Sequence, residues 1–352
     1  MGLNQINIPR YFRLVKGTPE AGRTLVELIS KLKAGKPLFI MGHHSSQLLG
    51  RPLLEQFGWE LPRWDELIIE ANNRAQVDLV RRRIREEGHD LVVGIGSGRV
   101  LDVAKYGAAL EGVNFLSMPT LLSHDGICSP VAVIKDEEGR NRSLGARMPS
   151  GIIIDLETIK KAPLRTIRAG IGDLVSNLSA IADWELAAAK VGEQIDDFAA
   201  LTSKTATIAL LESKITDITN ETFLSMLANG LILSGVAMEI AGNSRPSSGS
   251  EHKFSHALDE LYRLPNLHGE QVAVGVILCT YLRGGDWQEI KEFFSRLAIP
   301  TTAKQLGIGA EELVQALVHA PATRAGRYTI LEDVKIDAKL AREAARATGV
   351  ID

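Results

Sequence analysis

The first 155 or so residues alternate short apolar runs with longer stretches of helical period, and beyond them the apolar runs stop. Six runs, at 37–41, 66–70, 90–94, 114–118, 131–135 and 151–155, are bounded by Gly, Pro, Asp or Asn and read as strands. Between the first four lie gaps of roughly 20 residues with helical spacing. One of these carries Val77, Leu79, Val80 and Ile84 on a single face. Strand–helix alternation at this spacing argues for a parallel sheet, because parallel neighbours need a long crossover where antiparallel ones need only a tight turn. The expectation is an α/β, Rossmann-like parallel-sheet domain with helices on both sides.

The second half reads differently. Segments 167–191, 198–220, 223–241, 247–262, 269–282 and 287–297 all fit helices, which implies a separate all-α C-terminal domain. A chain of 352 residues exceeds one compact core, so the division is placed at 1–162, an α/β domain, and 163–352, an all-helical domain. Pro163 opens the first long helix of the second part.

Charge and cysteine content narrow the function classes. The chain has 40 Lys+Arg against 43 Asp+Glu, a formal net charge of −3, which argues against a general nucleic-acid binder. The basic run from Arg81 to Arg85 reads as a solvated helix face. Two cysteines, Cys128 and Cys279, exclude a disulfide-stapled scaffold and a multi-cysteine metal site. The N-terminal segment lacks the apolar core of a secretory signal, and Ile6 stands where myristoylation needs Ser or Thr. Apolar stretches such as 272–282 fall short of the ~20 residues that cross a bilayer. A cytoplasmic chain without membrane insertion is expected.

Two groups of residues carry chemistry. The run from Leu91 to Gly98 passes from a strand through Gly94, Gly96 and Gly98 into a helix containing Asp102 and Lys105. It matches neither the usual dinucleotide fingerprint nor a Walker A loop, and both phosphate binding and a plain tight turn remain open. The second group is histidine-rich. His252 and His256 are four residues apart and share a helix face, and His268 precedes Gly269 at a helix start. With Asp173, which interrupts an apolar helix start, two imidazoles and a carboxylate suit a divalent metal with a position open for substrate. Hydrogen-bonded core histidines are the competing account. His43 and His44 follow the first strand and read as a surface turn, while His89 and His319 receive no role.

The segment Pro119-Thr-Leu-Leu-Ser-His-Asp-Gly-Ile-Cys-Ser-Pro130 is similar to a P-T-x-x-S-H-D-G-x-x-S-P signature. With Gly96-Ser-Gly98, Asp102 and Lys105, with Gly172-Asp-Leu-Val-Ser-Asn177, Asp183 and Trp184, and with the histidine segment, it resembles the iron-containing alcohol dehydrogenase, glycerol dehydrogenase and dehydroquinate synthase superfamily. Within that superfamily the resemblance is to the sn-glycerol-1-phosphate dehydrogenase family.

The resemblance implies NAD(P)H-dependent interconversion of dihydroxyacetone phosphate, a phosphorylated triose, and sn-glycerol 1-phosphate. It implies one divalent metal held by Asp173, His252 and His268, usually Zn2+, with Fe2+ and Ni2+ also suited to the donors. His256 would face substrate and nicotinamide and handle the proton, and Asp125 would hydrogen-bond a substrate hydroxyl. Gly96, Ser97 and Gly98 would cradle the pyrophosphate, Arg99 would reach a phosphate, and Thr120, Ser123 and Ser129 would line the cofactor path. Gly42 stands where NAD-selective relatives carry Asp, so NADPH is expected to serve as well as NADH. Arg245 and Lys253, with Ser247, Ser248 and Ser250, are the candidates for the substrate phosphate. A homo-oligomer is expected. The alternatives are a dehydrogenase of glycerol or another small alcohol, and a sugar-phosphate cyclase, against which the Ser-His-Asp-Gly segment argues. Three intact metal ligands argue against a silent binding protein.

Overall fold

The computed structural model describes residues 6–262 and 264–352; the myristoylation reading falls largely on residues 1–5, outside that range. The chain divides into two compact units, Met1–Pro163 and Leu164–Asp352.

In the first unit, β1 (Tyr11–Val15), β2 (Pro37–Gly42), β3 (Asp65–Ile69), β4 (Leu91–Gly96), β5 (Asn114–Pro119) and β8 (Gly151–Asp155) form one parallel sheet in the order β1-β8-β5-β4-β2-β3. The four inner strands are buried along nearly their whole length, which is why they read as unbroken apolar runs. The outer strand β1 carries Arg13 and exposes its middle residues, so it escapes a search for apolar runs.

The run at 131–135 is a strand, β6 (Val131–Lys135), but it lies outside the parallel sheet. It pairs antiparallel with β7 (Asn141–Gly145) in a separate two-stranded ribbon. The intervening turn decides this. The Asp136 carboxylate accepts from the backbone N–H groups of Glu138 and Arg140, and Gly139 sits at φ 77°, so the chain reverses too soon for a parallel crossover.

Arg81 and Arg85 of the helix Arg74–Glu87 both pair with Glu111 on the helix Gly98–Glu111, at 2.7 and 2.5 Å. Behind the glycine turn, the buried Lys105 ammonium donates to the carbonyls of Gly126, Ser129 and Val131 at 2.7–3.0 Å. One charged side chain thus pins the Ser-His-Asp-Gly segment onto the helix that follows β4.

The described residues of the second unit form helices and no strand. The first helix, Leu164–Val191, runs 28 residues. The stretch expected as one helix over 198–220 is helical only for Asp197–Leu211. Asp217 then bonds the backbone and hydroxyl of Thr219, and Asn220 caps the next helix, Glu221–Ala241. That helix has 21 residues and is apolar enough to cross a membrane by length and composition, contrary to the sequence reading, but 67% of its most apolar window is buried inside the protein. Beyond it lie the helices Ser250–Tyr262, His268–Leu282, Trp287–Arg296, Ala310–Thr323, Ile330–Asp333 and Ala338–Ala347.

Two glycines set the crossing that matters for function. A Cβ on Gly269 would lie 1.8 Å from the Ala169 carbonyl oxygen, and one on Gly172 would lie 2.2 Å from that of Gly269. Helices Leu164–Val191 and His268–Leu282 therefore touch backbone to backbone, which no side chain at either position permits. The helix Ser250–Tyr262 is fixed at its start by Asp183, whose carboxylate accepts from the backbone N–H and hydroxyl of Ser250 at 2.7 and 2.6 Å. The same carboxylate holds Arg283 at 2.9 Å.

Candidate functional site

The glycine crossing places Asp173, beside Gly172, against His268, beside Gly269. Asp173 lies well inside its helix, not at the helix start, and is buried. His268 is the first residue of its helix, and His252 projects from the first turn of the histidine helix. Nε2 of His252 and Nε2 of His268 each lie 3.8 Å from Asp173 Oδ1. One ligand atom from each of the three residues falls within 4.8 Å of the others. Donors about 2.1 Å from a tetrahedral ion stand about 3.4 Å apart, so each histidine needs to close on Asp173 by only a few tenths of an ångström.

Hydrogen bonds on the far side of each ring decide which nitrogen is free. Glu251 Oε1, fully buried, lies 2.9 Å from His252 Nδ1 and accepts its proton. The Ser255 hydroxyl donates to Gln271 Oε1 at 2.6 Å, so its oxygen accepts from His268 Nδ1 at 3.0 Å. Gln271 is itself held by Asp259 at 3.1 Å. Both Nε2 lone pairs are thereby left facing Asp173, the arrangement a cation ligand set requires. Two neutral imidazoles and one carboxylate fit a divalent ion with a position to spare.

His256 stands one helical turn beyond His252, its ring centre 6.4 Å from that of His252 and 6.3 Å from that of His268. Burial, repulsion from His252 whenever that ring is protonated, and the positive charge of Arg324 and Arg327 push its pKa down to about 3. It is neutral at any working pH.

The other sequence-derived residues belong to the first unit. Gly96 ends β4, and a Cβ there would strike Val100 at 2.7 Å. Ser97 precedes the helix Gly98–Glu111, whose start receives no side-chain cap, leaving its first N–H groups for an anion. A Cβ on Gly98 would lie 2.1 Å from His124 Nε2, so this glycine makes room for the histidine of the Ser-His-Asp-Gly segment. His124 Nδ1 accepts from the Gly126 N–H at 3.0 Å, which places its proton on Nε2. The Thr120 N–H donates to the Gly96 carbonyl at 2.9 Å and ties the end of β5 to the turn. Arg99 is exposed in the first helical turn, and Ser123 and Asp125 are half-buried. The Ser129 hydroxyl is turned inward to Val131 at 3.4 Å. His43 and His44 are exposed just past β2.

The residues expected at the substrate phosphate are engaged elsewhere. Buried Arg245 is clasped by both oxygens of Glu193 and by the Tyr328 carbonyl. The Lys253 ammonium, also buried, bonds Glu332 and the Arg327 carbonyl at 2.5 Å. Conversely, Glu251, Ser255, Gln271, Arg324 and Arg327 were not singled out. Glu251 adjoins a ligand histidine and was open to recognition as its partner. The two arginines lie some 70 residues past the histidines, with no motif around them.

With this geometry in hand, the chain compares closely with known proteins. Residues 17–163 match the sequence profile of the family described as iron-containing alcohol dehydrogenase. The fold is shared with the crystal structure of a probable glycerol dehydrogenase from Sinorhizobium meliloti (TM-score 0.78, 22% identity, 98% of each chain covered). It is shared as well with glycerol dehydrogenase from Schizosaccharomyces pombe (TM-score 0.80, 19% identity, 99% of this chain and 91% of the other). These likenesses define the fold class. Among curated proteins, the chain is 40% identical to the glycerol-1-phosphate dehydrogenase [NAD(P)+] of Methanothermobacter thermautotrophicus, over 100% of both chains. It is 45% identical to the enzyme of the same name from Methanosphaera stadtmanae, over 74% of this chain and 75% of the relative. The chain belongs to the glycerol-1-phosphate dehydrogenase [NAD(P)+] family.

Proposed function

We propose that the chain catalyses reversible, NAD(P)H-dependent reduction of dihydroxyacetone phosphate to sn-glycerol 1-phosphate. The observation that carries this reading is the Asp173–His252–His268 cluster, in a chain aligned end to end with a glycerol-1-phosphate dehydrogenase. When bound, a divalent ion supplies Lewis acidity at the carbonyl oxygen and the reduced nicotinamide supplies the hydride. Zn2+ is the proposed ion; Fe2+ and Ni2+ satisfy the same donors.

The chain's own residues have the following roles. Asp173 brings the negative charge of the ligand set, and Glu251 and Ser255 hold the two imidazoles in the tautomer that leaves Nε2 bare. His256, kept neutral, relays a proton instead of serving as an imidazolium acid: one ring nitrogen gives up its N–H proton as the other takes one from water or a cofactor hydroxyl. The role proposed for Asp125 is to accept from a substrate hydroxyl. For the cofactor, the uncapped helix start at Ser97 and Gly98 receives the pyrophosphate, with Arg99 free to reach a phosphate. Thr120 and Ser123 line its path. Ser129 contributes backbone to that wall, since its hydroxyl points inward.

Exposed Phe198, Leu201 and Ile208 on one face of the helix Asp197–Leu211 support self-association into a homo-oligomer, which sedimentation checks. Cys128 and Cys279 are buried and neither is in a disulfide, which supports a reducing, cytoplasmic setting.

The test is turnover of dihydroxyacetone phosphate, dihydroxyacetone and glycerol with each cofactor, before and after chelation. Preference for the phosphate, lost on chelation and restored by one added metal, supports the reading. Phosphate release without net oxidation of NADH would identify a cyclase instead.

A further inference from the structure

Arg324 and Arg327 follow the helix Ala310–Thr323 and meet the loop that opens the histidine helix. Arg324 Nη1 donates to the hydroxyls of Ser244 and Ser248 at 3.2 and 3.1 Å. Arg327 donates to the Ser244 hydroxyl at 3.0 Å, to the Ser244 carbonyl at 3.3 Å and to the Ser248 carbonyl. Neither guanidinium forms an ion pair among the described residues, whereas neighbouring Arg245 pairs with Glu193. Every bond they make is to a neutral oxygen. Two positive charges therefore sit half-buried and side by side with no carboxylate in direct contact, Glu251 and Glu193 acting on Arg327 only from farther off, an arrangement that is costly unless an anion completes it. Burial and mutual repulsion pull Arg327 down to about 9. Ser248 stands in extended backbone four residues before His252, and the Thr323 hydroxyl, beside Arg324, donates to the carbonyl of Lys253, beside His252, at 3.4 Å; the charge of both arginines also reaches His256, so the pair belongs to the surroundings of the metal cluster.

We propose that Arg324 and Arg327, steadied by Ser244 and Ser248, form the anion subsite that holds the substrate phosphate. The assignment rests on the phosphorylated-triose reading above and replaces Arg245 and Lys253 in that role. Guanidinium forks match the oxygens of a phosphate monoester in bidentate fashion, which an ammonium does not. The site would thus select the phosphorylated substrate and turn it so that its carbonyl faces the metal ligands.

The test compares dihydroxyacetone phosphate with dihydroxyacetone in the wild-type enzyme and in Arg324→Gln, Arg327→Gln and Arg327→Lys, with metal content and unfolding midpoint confirming the fold. Each Gln variant is expected to raise KM for the phosphate and lower the specificity ratio between the two substrates by roughly 10- to 100-fold. Arg327→Lys, which keeps the charge, recovers part of the loss. Inorganic phosphate, as a competitive inhibitor, weakens by a similar factor in the Gln variants. Equal losses on both substrates, or an unchanged KM for the phosphate, overturn the assignment. If the wild-type enzyme reduces dihydroxyacetone as readily as its phosphate, the substrate reading fails instead. Inorganic phosphate then decides the anion site: weaker binding in the Gln variants supports it and unchanged binding refutes it.

Discussion

Replacing Gly269 with Ala asks whether the helix crossing builds the metal cluster. Two effects oppose each other. Ala is the better helix former, which favours the variant by up to about 1 kcal/mol. Against this, the new methyl would stand 1.8 Å from the Ala169 oxygen and 2.6 Å from its carbonyl carbon, both backbone atoms that no rotamer change moves. The helices must separate by more than about 1 Å to clear it, and overpacking of this kind typically costs about 1–3 kcal/mol. The same separation draws His268 Nε2 away from Asp173 Oδ1, now 3.8 Å apart, whereas metal–ligand distances tolerate only about 0.2 Å. We expect the fold to survive with a lowered unfolding midpoint and metal affinity to fall roughly 10- to 100-fold, as for loss of a supporting partner. The assay is metal stoichiometry by elemental analysis after dialysis against graded chelator, beside thermal unfolding. Gly145→Ala, where a Cβ meets nothing within 4 Å, is the control. Wild-type metal retention by Gly269→Ala would refute the argument.

Three other outcomes follow from the structure. His252→Ala removes one of three ligands and is expected to abolish both bound metal and turnover; full activity in a metal-free variant would sink the mechanism. Asp102 is buried beside Lys105, and burial lifts its carboxyl from 3.8 to about 6. A raised acid pKa means that the folded chain holds this proton more tightly than the unfolded one. Its contribution is therefore complete below about pH 4, declines as pH rises through 6, and is lower by about 3 kcal/mol at neutral pH. Denaturant titrations at pH 4 and pH 7 should show Asp102→Asn gaining on wild type by about that amount; a difference independent of pH contradicts the assignment. Finally, Gly42→Asp sets a carboxylate at the end of β2, where a Cβ would meet Val100 at 3.2 Å. It should lower kcat/KM for NADPH roughly tenfold or more while sparing NADH. Equal effects on both cofactors would dismiss Gly42 as the selector.

How much of this was legible in the sequence depended on whether the signal was local. β2, β4, β5 and β8 announced themselves because strands buried on both faces must be apolar throughout. β1 and β7 did not, since an outer strand with Arg13 and a ribbon strand reading Asn-Arg-Ser-Leu-Gly need no such run. The 131–135 strand was visible, but its partner was chosen by an Asp136 turn.

The sequence by itself determined the alternating first half, the helical second half and the shared face of His252 and His256, because helical period and strand burial are written in neighbouring residues. Only the tertiary structure decided that Gly172 and Gly269 touch, that Glu251 and Ser255 set the tautomers of two ligands, and that Arg245 is spent on Glu193 while Arg324 and Arg327 are not. These are contacts between segments far apart in the chain. Their outcome turns on ångström-scale packing and on which charges meet, and no local pattern encodes either.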